Sequence, residues 1–194
     1  MNIVQIGTNK AYDDVTDIVN QYSEHINKLI LVEPLKVHHQ SIKECYKNYP
    51  QHVIEPSVIV DNNDQKEIIF YYHKDDGPGF EVSSTNKEHI LKHVVFNPKL
   101  TSEGIIEQST PCLTTSELFD KYDLKDINIL YIDAEGYDDK IIYNLNLHKY
   151  NITNIIYEHL HIDSEAVIKY LENMGYTTIR NYGHNGWSHA VVKN

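Results

Sequence analysis

Asn128-Ile-Leu-Tyr-Ile-Asp133-Ala-Glu135-Gly136-Tyr137-Asp138 is the stretch on which the fold turns. Its apolar run, Ile129 to Ile132, is β-branched and aromatic in character and ends abruptly at two carboxylates and a glycine. Ile141, Ile142 and Leu145 then recur at helical spacing. A short continuous apolar run followed by a helix is the pattern of a strand buried on both faces of a parallel sheet. Open α/β sheets bind ligands beyond the carboxyl ends of their strands, so Asp133 and Glu135 are placed to meet one. A competing reading makes Asp133 the cap of the following helix, its carboxylate accepting from the first free amides.

The same alternation of strand and helix extends in both directions. Upstream, residues 3–6 form a strand ending at Gly7-Thr8-Asn9, and Val15, Ile18, Val19, Tyr22 and Ile26 mark one helix face. Residues 29–32 form a second strand ending at Glu33-Pro34, and Leu35, Ile42, Tyr46 and Tyr49 mark the next helix. Val53-Ile54 and Val58 to Val60 read as one third strand bent at Pro56; residues 61–64 turn the chain, and Glu67 to His73 alternates as a half-buried strand.

Downstream, Thr114-Thr-Ser-Glu117 is a capping-box pattern opening a helix. Residues 154–157 form a strand ending at Glu158-His159-Leu160-His161, and Asp163 caps a helix that Gly175 closes. Residues 177–180 and 190–193 form a closing hairpin. The expectation is one α/β domain over residues 1–194. It has a doubly wound, mostly parallel seven-stranded sheet, a C-terminal antiparallel hairpin and helices on both faces. Residues 74–112 break the rhythm, with a turn at Asp76-Gly-Pro-Gly79 and a short helix over 87–93. A stretch that long without regular structure reads as a lid or substrate loop, and its Phe80, Ile90, Leu91, Val94, Val95 and Phe96 must pack on something.

Composition narrows the function. Seventeen Lys and Arg against 28 Asp and Glu leave a net charge of -11 without a basic block. Nucleic-acid binding requires a positive stripe, and anionic lipid repels an acidic protein, so neither is an expected partner. No apolar run reaches membrane-span length and no signal peptide precedes the first strand, so a cytoplasmic protein is expected. Cys45 and Cys112 are too few for a disulfide framework.

Three strand ends carry the chemistry. Gly7 permits a tight turn into the first helix, although Asn9 and Ala11 stand where a G-x-G-x-x-G would continue. Glu33, some twenty residues on, can accept both ribose hydroxyls of an adenosine ligand. Asp133 faces the same crevice. Beside it, Glu158, His159 and His161 can bind a divalent metal or exchange a proton with a hydroxyl. No metal-ligand spacing is diagnostic, so no metal ligand is assigned; a divalent ion such as Mg²⁺ is compatible with the carboxylates but unsupported by a motif. Asp13 and Asp14 suit the dipole of the first helix, and with Lys10 they could also meet a ligand.

Val4-Gln-Ile-Gly7-Thr8-Asn9, Val32-Glu33-Pro34, Leu130-Tyr-Ile-Asp133-Ala134-Glu135-Gly136-Tyr-Asp138 and Ile156-Tyr-Glu158-His159 together resemble the FkbM-type methyltransferases. The resemblance runs over nearly the whole chain, including Ser83-Ser84 before Glu88-His89-Ile-Leu-Lys-His93. It implies the class I Rossmann-like methyltransferase fold, S-adenosylmethionine as cofactor, and O-methyl transfer to a hydroxyl of a small molecule or glycan. By it, Gly7, Thr8 and Asn9 line the methionine and ribose side, and Glu33, beside Pro34, holds the ribose. Ser57 and Val58 edge the adenine, and Asp133 with Ala134 sits near the transferred methyl group. Asp133, Glu135, Glu158 and His159 are the candidates for catalysis. Lys10 and Ala11 depart from the family's first loop, and the chain begins at the first strand without the helix that commonly covers the cofactor. Those departures motivate an alternative, a non-catalytic binding domain that keeps the fold with a degraded cofactor pocket.

Overall fold

Successive residues of the buried strands divide between two apolar layers, as the period of a pleated strand dictates. Val4, Ile30, Leu130 and Ile155 join one layer together with Ile141, Ile142, Val167 and Leu171, whereas Ile3, Leu29, Leu31, Tyr131 and Ile156 join the other with Val15, Val19, Ile42 and Tyr46. The sheet is therefore covered on both faces.

The computed structural model describes residues 1–62, 64–75, 82–97, 99–183 and 186–193. The expected turn at 76–79 and Phe80 lie outside these residues. The chain runs β1 (Asn2–Ile6), α1 (Asp14–Tyr22), β2 (Lys28–Val32), α2 (His39–Cys45), β3 (Val53–Glu55), β4 (Val58–Val60), β5 (Glu67–His73), β6 (Ser83–Ser84) and α3 (Lys87–Phe96). It continues through β7 (Ile105–Thr114), α4 (Thr115–Lys121), β8 (Ile129–Ile132), α5 (Asp138–Tyr143), β9 (Asn154–Glu158), α6 (Ser164–Asn173), β10 (Tyr176–Arg180) and β11 (Trp187–Val192).

The main sheet has seven strands in the order β10-β11-β9-β8-β1-β2-β3. All pairings are parallel except those of β11 with β9 and β10. The expected mixed sheet with its terminal antiparallel hairpin is thus present, although β11 begins at Trp187, earlier than the sequence suggested. The chain winds outward from β1 toward β3 on one side and from β8 toward β11 on the other. The switch point, where such sheets place ligands, lies between β1 and β8.

Two expectations need correction. Val53 to Val60 is not one bent strand: β3 pairs with β2, whereas β4 leaves to pair with β7 in a second sheet of order β4-β7-β5-β6. The break falls at Pro56, which brings no N–H to a ladder. Buried Glu55 anchors it, accepting from Lys121 Nζ at 2.7 Å, Tyr122 OH at 2.7 Å and Ser57 Oγ at 2.6 Å. Residues 74–112 are also more regular than expected. They contain β6, the whole of α3 capped by the Asn86 side chain, and most of the ten-residue β7. In β7, Pro111 falls opposite Glu67, where the pairing with β5 ends; the pairing with β4 begins at the next residue, Cys112. Proline's missing donor is tolerated at such a handover. No helix among the described residues is long and apolar enough to cross a membrane.

Candidate functional site

At the switch point the ends of four parallel strands, β1, β2, β3 and β8, are tied by backbone bonds that extend their ladders. Gly7 and Thr8 amides both donate to Val32 O at 3.1 Å, Asp133 N donates to Ile6 O, and Glu33 N donates to Glu55 O. Gly7 has φ +80°, and a Cβ there would stand 1.8 Å from the Asp133 carbonyl oxygen. Glycine is required because β1 and β8 turn away from each other at van der Waals contact. The loop beyond keeps a left-handed course without glycine: Asn9, Ala11 and Tyr12 all have φ between +52° and +73°.

Above these ends lies an open cleft, with about 680 Å³ of space in and above it that is continuous with solvent. Gly7, Asn9, Glu33, Pro34, Ser57, Val58, Asp133, Ala134 and Glu135 line it. Nine of the twelve site positions assigned from the sequence therefore meet in one place. Thr8 does not line it: the side chain is buried and its hydroxyl has no hydrogen-bond partner among the described residues. The wall also includes residues that the sequence reading missed, among them His38, Ile59, Phe70, Thr85, Tyr137 and Ile141. Phe70 and Thr85 arrive through the second sheet and the segment after β6, whose placement over the cleft is a tertiary fact. Tyr137 could have been found, since it follows Gly136 in the most distinctive motif; its hydroxyl donates to Asp61 Oδ1 at 2.9 Å and ties the β8–α5 loop to the end of β4.

Glu33 is 4% exposed, with Oε2 accepting from Asn9 N at 2.7 Å and Oε1 from Leu35 N at 2.8 Å. Burial pushes its carboxyl up to about 8 against the opposing pull of those two amides. Each carboxylate oxygen has a second lone pair, so Glu33 keeps acceptor capacity toward the cleft.

Asp133 does not cap α5. The N-cap position is Tyr137, whose side chain makes no capping bond to the helix, and it is Asp138 Oδ1 that accepts from Ala134 N. Asp133 instead faces the cleft, its carboxyl held well above the usual range by burial and then by Glu135, Glu158 and Asp138. Asp138, fully buried, is raised to about 7 by burial with a contribution from Glu158. Glu158 reaches about 7 through burial and Glu135, with His89 opposing. Four carboxylates thus crowd a region of low dielectric, an arrangement that favours a cation.

Glu158 and His159 lie outside the cleft lining. Glu158 sits just behind it, with buried Oε2 unbonded among the described residues. His159 turns the other way: its Nδ1 meets Ser188 Oγ at 2.9 Å under β11 and its amide donates to Gly186 O. Asp13 is the cap of α1, accepting from Val15 and Thr16 amides and from Gln5 Nε2. A second, wider cavity adjoins the cleft, sharing Ser84, Thr85, Glu135 and Tyr137 with it and adding residues of α3 and His161.

The family model for the methyltransferase FkbM domain matches residues 5–178. Among solved structures, the methyltransferase FkbM of Methylobacillus flagellatus aligns with a TM-score of 0.61 at 8% identity, over 97% of this chain and 43% of that one. That likeness carries the fold, and this chain spans less than half the length of that protein. A search of curated proteins gives no match. The matched span takes in the three strand ends and the whole β8–α5 motif, and the chain belongs to the methyltransferase FkbM domain family.

Proposed function

We propose that this protein is an S-adenosylmethionine-dependent O-methyltransferase acting on a hydroxyl of a small molecule or glycan. The observation that carries the reading is the junction of two cavities at Glu135 and Tyr137, one suited to an adenosine ligand and one open to an acceptor. The cofactor fits the residues present. Glu33 retains lone pairs for ribose hydroxyls, Val58, Ile59 and Phe70 supply an apolar slot, and the Asp133 carboxylate group of neighbours suits a cationic sulfur. When bound, S-adenosylmethionine supplies an electrophilic methyl group on that sulfur.

The chain's own groups then orient the acceptor and take its proton. Asp133 is assigned as the base because it lines the cleft next to Glu135, which the two cavities share, and burial raises its affinity for a proton. Burial first, then Glu135 and Glu158, keep that affinity high. His159, bonded to Ser188, is not given this role.

Calorimetric titration with S-adenosylhomocysteine tests the cofactor cleft. Micromolar binding is expected, weakened about tenfold in Glu33→Ala, since removing a buried hydrogen-bonding partner costs ~1–3 kcal/mol. Asp133→Asn should retain binding and lose turnover on a hydroxylated acceptor. Absence of binding to the wild-type protein would overturn this reading in favour of a non-catalytic domain.

A further inference from the structure

The second cavity holds a cluster of which the methyl-transfer reading uses Glu135 alone. His89 and His93 lie one turn apart on α3, Glu135 lies in the β8–α5 loop, and His161 follows β9. Their ligating atoms all lie within 4.8 Å of one another. His89 Nε2 is 3.3 Å from Glu135 Oε2; the rings of His89 and His93 are 4.8 Å apart, and His161 stands edge-on to both, at 5.2 and 6.3 Å. Tetrahedral bonds of about 2.0–2.1 Å place neighbouring donors about 3.3 Å apart. One pair already has that spacing, and the other donors lie within 4.8 Å.

We propose that His89, His93, Glu135 and His161 bind a divalent transition-metal cation of the Zn²⁺ type. A hydrogen bond alone accounts for His89 with Glu135; the convergence of four donors from three separate segments is what points to an ion. Histidines at positions i and i+4 share one helix face, the spacing with which helices present paired imidazoles to a metal. The backbone is shaped around the cluster. Glu135 occupies the left-handed region at φ +50°, and a Cβ at Gly136 would press within 3.2 Å of His161 Cβ. The donor set also selects the ion: an imidazole-rich site suits Zn²⁺ and its first-row neighbours, whereas Mg²⁺ demands oxygen ligands. His161 is exposed, so the site opens to the second cavity. There the ion would hold an acceptor oxygen beside the Asp133–Glu135 wall, a role that rests on the methyl-transfer reading, as the site itself does not.

The test is titration of chelator-treated full-length protein with Co²⁺ and with Zn²⁺. One equivalent is expected, with the visible absorption of Co²⁺ in a histidine-rich site, displaced by Zn²⁺ and not by a large excess of Mg²⁺. His93→Ala and His161→Ala should each weaken binding at least about tenfold, and Lys92→Ala, a cavity residue outside the cluster, should not. No stoichiometric binding, or binding unchanged in both histidine variants, would overturn the site. Calorimetry with S-adenosylhomocysteine on the same samples separates the two readings. Cofactor binding without metal binding refutes this site alone, and metal binding without cofactor binding refutes the methyl-transfer reading alone.

Discussion

Gly7 and Gly175 share a left-handed backbone, at φ +80° and +90°, but differ in what surrounds them. Gly175 follows α6 with nothing within 4 Å of an added Cβ, so Gly175→Ala should cost only the conformational term, about 1–2 kcal/mol. At Gly7 the added methyl would overlap the Asp133 backbone oxygen at 1.8 Å, which no side-chain rotation relieves. Gly7→Ala should therefore destabilise by roughly 4 kcal/mol or more, and urea denaturation of the two variants should rank them in that order. Equal losses would mean that β1 and β8 can part without penalty. The contrast also shows what a motif reading can miss. From the sequence, Gly7 looks like a residue that lets a ligand approach backbone; the structure shows that it also lets one strand end pass another. Ala11 shows the converse, adopting φ +63° where the pattern called for glycine.

Among the elements, the β3–β4 break depends on one buried carboxylate. Glu55 is held below its ordinary range: burial opposes its charge, but hydrogen bonds from Lys121, Ser57 and Tyr122 outweigh it. Tyr122→Phe removes one of these bonds and should lower stability by about 1.5–3 kcal/mol at neutral pH. Because the folded pKa is depressed, the contribution is present above the unfolded carboxylate range and fades as acid titrates Glu55 through its folded value. The gap between wild type and variant, read by denaturation across pH, should close in acid; a gap independent of pH would remove Glu55 from the explanation. The break itself was hard to read, since Pro56 between two β-branched runs fits a bent strand as well as a change of sheet. β7 was harder still. Glu107, Gln108, Ser109 and Pro111 have poor strand propensity, and their pairing is imposed by β5 and β4 from a distance. The main sheet was legible because its strands are buried on both faces and so carry continuous apolar runs. Those runs also gave the strand ends, and with them most of the cleft. The cavity beyond was not legible, because α3 reaches it from outside that pattern, although His89 and His93 already had helical metal-ligand spacing.

Across the whole molecule, buried acids set the response to pH. Glu33 is raised to about 8 and Asp138 and Glu158 to about 7, with Asp133 raised as well, all primarily by burial. Between the ordinary carboxylate range and these values the native state holds protons that the unfolded chain has released. Stability must then fall as pH rises through that window, the reverse of the Glu55 effect, and the net charge of -11 adds self-repulsion in the same direction. Glu33 alone, displaced from 4.5 to about 8, corresponds to a loss on the order of 4 kcal/mol between about pH 4 and pH 8. Glu33→Gln should flatten that slope. It also offers an amide where two backbone donors, from Asn9 and Leu35, now meet carboxylate oxygens, so it should carry a separate penalty that does not vary with pH. Urea midpoints at about pH 5.5 and 8.5 distinguish the two terms: a parallel offset is the lost hydrogen bond, and convergence of the curves toward alkaline pH is the released proton. The same acids predict how ligands act. S-adenosylmethionine carries a positive sulfur that S-adenosylhomocysteine lacks, and a positive charge beside Asp133 favours the ionised acids that dominate at higher pH. The advantage of the charged ligand over the neutral one should therefore widen from about pH 5.5 to 8.5 in thermal-shift or calorimetric measurements. A constant ratio would place the sulfur away from Asp133, and with it the transferred methyl.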